Sequence, residues 1–365
     1  MLRPNRHIEK LPASVHGGID YRETAALGLM PDDILDFSVN INPFGPPPGM
    51  EKMLHDAAID RYPDTNSTEL VTELAKYHNV SPESICVGAG TTELIRAVAA
   101  AYFSQQDTAL IPQPTYGEYD LACRLTDAAI MQHPVAVEPD FKFDIREIKS
   151  LVKKRRPKGI FLCNPNNPTG RYLSQDVVRE IVTLATDSLV VLDEAYIAFT
   201  EGAWDSSDLI GQGNVVILRS MTKDYALAGL RIGYMLSSPD IVSVIRKVLP
   251  PWNVNAVAQR AGLFSLEATS YLEECNIKIR EAKQFLVREL TAMGLIVVPS
   301  DTNFFLVRVG EGCALRKALL KKKILVRDCA SFGLPSYIRI APRTLPECRV
   351  LIDAMKQGIK ESDDS

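Results

Sequence analysis

No apolar run in this chain of 365 residues approaches the roughly 18–20 consecutive residues that a membrane helix requires, so no membrane partner is expected. The N-terminus, M-L-R-P-N-R-H-I-E-K, has no hydrophobic signal core, and the expected location is cytoplasmic. Positive charge is not in excess. Lys and Arg number 41 against 45 Asp and Glu, a formal net charge of −4, which argues against a nucleic-acid partner. The longest basic runs, Lys153-Lys154-Arg155-Arg156 and Lys321-Lys322-Lys323, are short and read as solvated helix ends. Cysteine pairs are missing too. The seven cysteines (86, 123, 163, 275, 313, 329 and 348) are scattered, odd in number and nowhere spaced C-x-x-C, which excludes a disulfide framework and points away from a structural metal. Internal repeats and low-complexity linkers are absent.

What is present is a large apolar fraction, 46%, enough for a big core and more than one domain. From about Ser84 to Tyr234, short apolar runs alternate with amphipathic segments such as Thr92–Phe103 and Gln175–Ala185. The runs at 85–87, 109–111, 159–163, 189–192, 215–218 and 233–236 predict strands joined by helical crossovers. That pattern implies an α/β fold with a mainly parallel sheet whose ligands gather at the strands' carboxyl ends. After Pro250-Pro251 the pattern changes: one long helix is predicted from Ala256 to Met293, then short strands and helices of a smaller α+β domain. The expected division is an arm over 1–40, a large domain over 41–250 and a small domain over 251–365. One short helix, near Tyr21–Leu27, is predicted in the arm.

Polar motifs sit where the strands end. Gly88-Ala89-Gly90-Thr91-Thr92 opens a helix whose free N–H groups suit a phosphate; a plain tight turn reads equally from these residues alone. Tyr116 after the second strand can stack on a flat ring or simply pack. Asn164-Pro165-Asn166-Asn167-Pro168-Thr169-Gly170 forms a rigid turn that aims an amide into the cleft. Asp193, behind an apolar strand, needs a partner, which a protonated pyridinium, a salt bridge or a helix cap would each supply. Ser220-Met221-Thr222-Lys223, with Arg231 eight residues on, gathers hydroxyls, an ammonium and a guanidinium. Taken alone that stretch reads as a polar loop with a surface lysine. Among cations and apolar walls, its amine form is favoured, as covalent capture of an aldehyde cofactor requires.

In this order and at these strand ends, N-P-N-N-P-T-G, D-E-A-Y and S-M-T-K with G-L-R-I-G-Y resemble the fold-type I pyridoxal-phosphate enzymes. The resemblance spans nearly the whole chain. It implies an aspartate aminotransferase-like large domain, pyridoxal 5′-phosphate as cofactor, and Lys223 as its covalent anchor. Asp193 would pair with the ring nitrogen, Asn167 and Tyr196 with the ring oxygen, and Tyr116 would stack on the ring. Lys223, Asp193 and Tyr116 would carry the chemistry. Gly90, Thr91, Thr92, Ser220, Thr222 and Arg231 would hold the phosphate. Arg61-Tyr62-Pro63-Asp64 resembles the segment whose tyrosine, here Tyr62, reaches the neighbouring subunit's cofactor, which implies a homodimer with composite sites.

Within that fold the chain is similar to the histidinol-phosphate aminotransferase branch. Val15-His16-Gly17-Gly18, Asp36-Phe37-Ser38-Val39-Asn40-Ile41-Asn42-Pro43, Leu218-Arg219-Ser220 and Pro251-Trp252-Asn253-Val254-Asn255 resemble its threonine-phosphate decarboxylase members. They imply loss of CO2 from L-threonine O-3-phosphate, a small phosphorylated amino acid, with His16, Gly17, Asn40, Asn167, Arg327 and Arg339 gripping the substrate. Tyr196 and the loop Ser331-Phe332-Gly333-Leu334-Pro335 are closer to the transaminases, so keto-acid-dependent conversion of histidinol phosphate is the competing expectation. A non-catalytic pyridoxal-binding regulator is the third, disfavoured by the negative charge and the occupied catalytic positions.

Overall fold

The structure is a computed structural model describing residues 2, 4–9, 11, 15–134 and 140–363. Its strands, in chain order, are β1 (Leu35–Asp36), β2 (Ile85–Gly88), β3 (Thr108–Gln113), β4 (Ala129–Pro134), β5 (Gly159–Cys163), β6 (Leu189–Asp193), β7 (Val215–Ser220), β8 (Gly233–Ser237), β9 (Ile296–Val297), β10 (Phe305–Arg308), β11 (Ile324–Leu325), β12 (Arg327–Asp328) and β13 (Tyr337–Ile340). Seven of them form one sheet in the order β2-β8-β7-β6-β5-β3-β4. Six run parallel, and β8 lies antiparallel to both β2 and β7. The reversal matters for the site. It brings the start of β8, just after Arg231, level with the carboxyl ends of β2 and β7, where Gly233 pairs with both Gly88 and Ser220.

Alternate residues along the strands feed two cores, one on each face of the sheet. Leu110, Ile160, Leu162, Val190, Leu192, Val215 and Ile217 pack with the helices Thr68–His78, Ile145–Arg155, Gln175–Leu184 and Ala256–Leu266. Ala109, Ile111, Phe161, Val191, Val216 and Leu218 pack with Thr91–Tyr102, Glu118–Leu125 and Pro239–Val248. Helices on both faces leave only the strand ends open, so the polar motifs collect along one rim.

Besides the two-residue strands β1 and β12, three elements differ from the sequence expectation. An edge strand, β4, adds to the large sheet; its mixed residues Gln132 and His133 and its partial exposure hide it from any search for apolar runs. The expected helix from Ala256 to Met293 is two helices, Ala256–Leu266 and Thr269–Ala292, broken at Glu267-Ala268. The first buries Ala258 and Ala261 on the large sheet's core, while the second buries Ala282, Leu286 and Leu290 under the smaller sheet. A single straight rod could not serve both. Finally, the arm's short helix at Tyr21–Ala26 is joined by a further turn of helix at Arg6–Glu9.

The smaller sheet runs β12-β13-β10-β9, covered by Thr269–Ala292 and the C-terminal helix Leu345–Asp363. Strand β1 pairs in parallel with β11, and Phe37, fully buried, anchors the segment in this second core. No helix among the described residues is long and apolar enough to cross a membrane. Nor, among the described residues, do three or more His, Cys, Asp or Glu side chains group to hold a metal ion.

Candidate active site

The rim of the large sheet, the arm and the smaller sheet enclose a cavity of about 660 Å³, within the size range of small-molecule sites. Its floor is the lysine turn. Asn42 holds that turn in place: its N–H donates to the Lys223 carbonyl at 2.8 Å and its Nδ2 to the Asp224 carbonyl at 3.0 Å. Burial lowers the Lys223 ammonium to a pKa of about 8, helped by the like charges of Arg231 and Arg339 and opposed by Asp193 and Asp224. At pH 7 about a tenth of Lys223 is then amine, far more than for an ordinary lysine.

Asp193, at the end of β6, is buried. Its Oδ2 accepts from the Tyr119 hydroxyl at 2.7 Å and its Oδ1 from the Ala195 N–H at 3.0 Å. Burial pushes its carboxyl up to about 6, against the lowering effect of the Tyr119 hydrogen bond. Among the described residues this carboxylate makes no ion pair, although it faces the cavity. A buried acid in that state is suited to a cationic nitrogen supplied by a ligand.

An anion cradle lies at the near end. Gly90 has φ +82° and precedes the Thr91–Tyr102 helix, whose first turn has no side-chain cap from Gly90. A Cβ at Gly90 would come 2.7 Å from Arg231 Nη2, so the glycine lets the guanidinium lie against the turn. Ser220 Oγ and Thr222 Oγ1 are 2.7 Å apart, and Thr92 Oγ1 lies 3.3 Å from the Tyr116 hydroxyl. Thr91, Thr92, Ser220, Thr222 and Arg231 all line the cavity. Helix N–H groups, three kinds of hydroxyl and a guanidinium make a site for a phosphate.

The asparagine-rich turn divides its labour. Asn164 Oδ1 accepts from Leu173 N at 2.6 Å, and Asn166 Nδ2 donates to the Pro114 carbonyl at 2.9 Å, so both brace the loop. Asn167 reaches the cavity, with its Oδ1 taken by Arg339 Nη1 and its Nδ2 left as the donor. Tyr196 is buried with its ring edge-on to Phe304 at 4.9 Å. Burial raises its hydroxyl well above the usual range, so it donates as a neutral phenol.

The far wall comes from the arm. Arg327 donates from Nη1 to the His16 carbonyl at 3.1 Å and from Nη2 to the Val15 carbonyl at 3.0 Å. It also donates to Ser331 Oγ at 2.7 Å. Gly18 N–H donates to Ser38 Oγ at 2.8 Å, and a Cβ on Gly17 would come 2.8 Å from the Ser38 carbonyl oxygen. His16, Gly17 and Asn40 therefore enter the same space as Arg339, whose Nη2 donates to the Ser38 carbonyl at 2.8 Å. The Asn40 amide is buried and, among the described residues, without a hydrogen-bond partner at either end; Arg339 Nε is in the same position. Groups like these await a polar ligand.

The structure thus gathers fifteen of the expected residues around one cavity. Gly90 sits just behind it. Tyr62 lies outside: it is exposed and stacked on Trp252 at 4.3 Å. Two residues escaped the sequence reading. Tyr119, the fully buried partner of Asp193, is three positions after Tyr116 across the start of a helix, and that i, i+3 spacing is the signal available for it. Glu118 beside it is also buried. The residues present fit pyridoxal phosphate: an anion cradle, a buried acid and an amine line one cavity.

Residues 32–355 match the family model described as Aminotransferase class I and II. The chain is 35% identical over 351 residues to the adenosylcobalamin biosynthesis bifunctional protein CobDQ of Leptospira interrogans, covering 93% of this chain and 40% of that protein. It is 32% identical over 340 residues to the histidinol-phosphate aminotransferase of Symbiobacterium thermophilum, covering 92% of each. Among solved structures, L-threonine-O-3-phosphate decarboxylase from Porphyromonas gingivalis aligns with a TM-score of 0.78 at 30% identity, covering 90% of this chain and 100% of that one.

Proposed function

Because the chain belongs to the class I and II aminotransferase family, we propose that this cavity decarboxylates L-threonine O-3-phosphate to (R)-1-aminopropan-2-yl phosphate and CO2 in cobalamin biosynthesis. The fold is fold-type I, aspartate aminotransferase-like, and the cofactor is pyridoxal 5′-phosphate. When bound, that cofactor supplies an electron-poor ring able to absorb the electron pair left on the substrate's Cα.

The chain's own residues do the rest. Lys223 Nζ, its ammonium lowered to about 8, would anchor the cofactor. Asp193, oriented by Tyr119, would keep the ring nitrogen protonated, and Tyr116 would cover one face. Asn167 Nδ2 and the Tyr196 hydroxyl would donate to the ring oxygen, while Thr91, Thr92, Ser220, Thr222 and Arg231 would hold the phosphate. His16, Gly17, Asn40 and Arg339 grip the substrate's two anionic ends, with Arg327 locking the arm. How that grip turns Cα decides which of its bonds breaks, and positioning of this kind supplies about 7–11 kcal/mol in favourable cases. As CO2 departs, its bonding pair stays behind, and Lys223 Nζ delivers a proton to Cα.

The observation that carries the reading is the docked arm: His16 and Gly17 line one cavity with Lys223 and Arg339. The second reading, transamination of histidinol phosphate, is favoured by Tyr196 and by Ser331 and Phe332 in the cavity wall. Each substrate is offered separately to the cofactor-loaded protein. CO2 from phosphothreonine without any keto acid supports the decarboxylase; turnover of histidinol phosphate that requires 2-oxoglutarate replaces it. The reading also includes the arm, large-domain and small-domain division at 1–40, 41–250 and 251–365, and a homodimer in which Tyr62 serves the neighbouring subunit's cofactor.

A further inference from the structure

Glu118 has no part in the chemistry above, yet its carboxylate is buried in the cavity wall. It opens the Glu118–Leu125 helix. Its Oε2 accepts from Arg96 Nη2 at 3.0 Å, and its Oε1 lies 3.2 Å from His16 Nε2. An ionised carboxylate only accepts, so Nε2 is the ring nitrogen that carries hydrogen, and Nδ1 is left for a bound ligand. Arg327 and Ser38 fix the arm's backbone but do not set the imidazole's rotation. The His16 side chain is 52% exposed, whereas that of Glu118 is 1% exposed. A half-exposed ring is therefore held by a buried group.

We infer that Glu118 is a positioning residue that holds the His16 ring over the cavity, so that the arm's imidazole meets the substrate's anionic end. Arg96 shares the same carboxylate. Held through Nε2, the ring keeps its other nitrogen for a phosphate or carboxylate in the cavity. Ordering that ring in advance removes a cost the substrate would otherwise bear on binding. The choice of phosphothreonine as ligand rests on the decarboxylase reading; the placement of the ring does not.

The test uses cofactor-loaded protein and variants Glu118→Ala, Glu118→Gln, His16→Ala and the double variant Glu118→Ala/His16→Ala. Arg96 is half exposed and can be rehydrated, and glutamine keeps the volume, so folding is expected to survive. Glu118→Ala should raise KM, and the Kd from absorbance titration with phosphothreonine, by about five- to tenfold. Its kcat should stay within about threefold and its cofactor spectrum should not change. Glu118→Gln, which still offers Nε2 an acceptor, should recover most of the loss. The double variant should bind no worse than His16→Ala alone. Additive losses, an unchanged KM, or a parallel fall in kcat and cofactor content would each overturn the inference. A parent protein that neither binds phosphothreonine nor releases CO2 rejects the functional reading instead. In that case the ring is read directly by magnetic resonance of the His16 side chain in cofactor-loaded protein. A ring with one fixed orientation in the parent that loses it in Glu118→Ala upholds the inference, and a ring unchanged between the two overturns it.

Discussion

At the scale of single residues, the site depends on charges held away from water. Asp193 has a pKa near 6 in the fold against an ordinary 3.8, so the cofactor-free folded chain binds this proton more tightly than the unfolded chain does. Its contribution is fully present below about pH 4 and is lost as pH rises through about 6. Asp193→Asn should flatten that decline by on the order of 3 kcal/mol, measured by denaturant unfolding of stripped protein between pH 4 and 6.5. An unchanged slope would show the acid to be solvated. With cofactor present, the same variant should lose at least about a hundredfold in kcat/KM, because the amide cannot balance a cationic nitrogen. Lys223 has the opposite sign. Its ammonium is lowered to about 8, so the rate of cofactor capture by stripped protein should rise with pH through about 8 and then level off. A capture rate flat from pH 7 to 9 would contradict that. Lys223 and Asp193 were legible in the sequence because each follows a short apolar run. Tyr119 was not, since its hydrogen bond to Asp193 joins residues 74 positions apart, and its spacing from Tyr116 is the one local sign of it.

At the scale of elements, turns rather than helices set the geometry. Gly90, with φ +82° and ψ 164°, occupies a region open essentially to glycine alone, and a methyl there would meet the Arg231 guanidinium. Gly90→Ala should cost about 1–3 kcal/mol of stability. Cofactor affinity should also fall, by more than the tenfold that about 1.4 kcal/mol represents. Thermal melting and absorbance titration check the two effects, and an alanine variant with parental affinity would remove Gly90 from the cradle. The buried parallel strands were readable because they are continuous apolar runs between turn residues. Strand β4 was not readable, as an edge strand has one unpaired side and tolerates Gln132 and His133. The break at Glu267-Ala268 was equally hidden. Helical periodicity continues through it, and what changes is the core that each half faces.

At the scale of the whole molecule, the chain closes its cavity from three separate places: the rim of the large sheet, the arm, and the smaller sheet carrying Arg327 and Arg339. Short motifs announced each piece, but only the fold shows that Arg327 donates to the arm's carbonyls while Arg339 reaches Asn167. The exposed Tyr62–Trp252 stack belongs to this scale as well. Mixing inactive Lys223→Ala protein with a crippled Tyr62→Ala variant, then allowing subunits to exchange, should restore activity through hybrids with one intact site. Mixtures no more active than their parts would remove the composite site. The measurement that bears most directly on the central claim, that this grip presents the Cα–carboxylate bond for cleavage, is magnetic resonance of phosphothreonine turned over in heavy water without a keto acid. The account predicts free carbonate and an aminopropanol phosphate carrying one solvent deuteron on the former Cα. Exchange of the Cα hydrogen in phosphothreonine that keeps its carboxylate would contradict it.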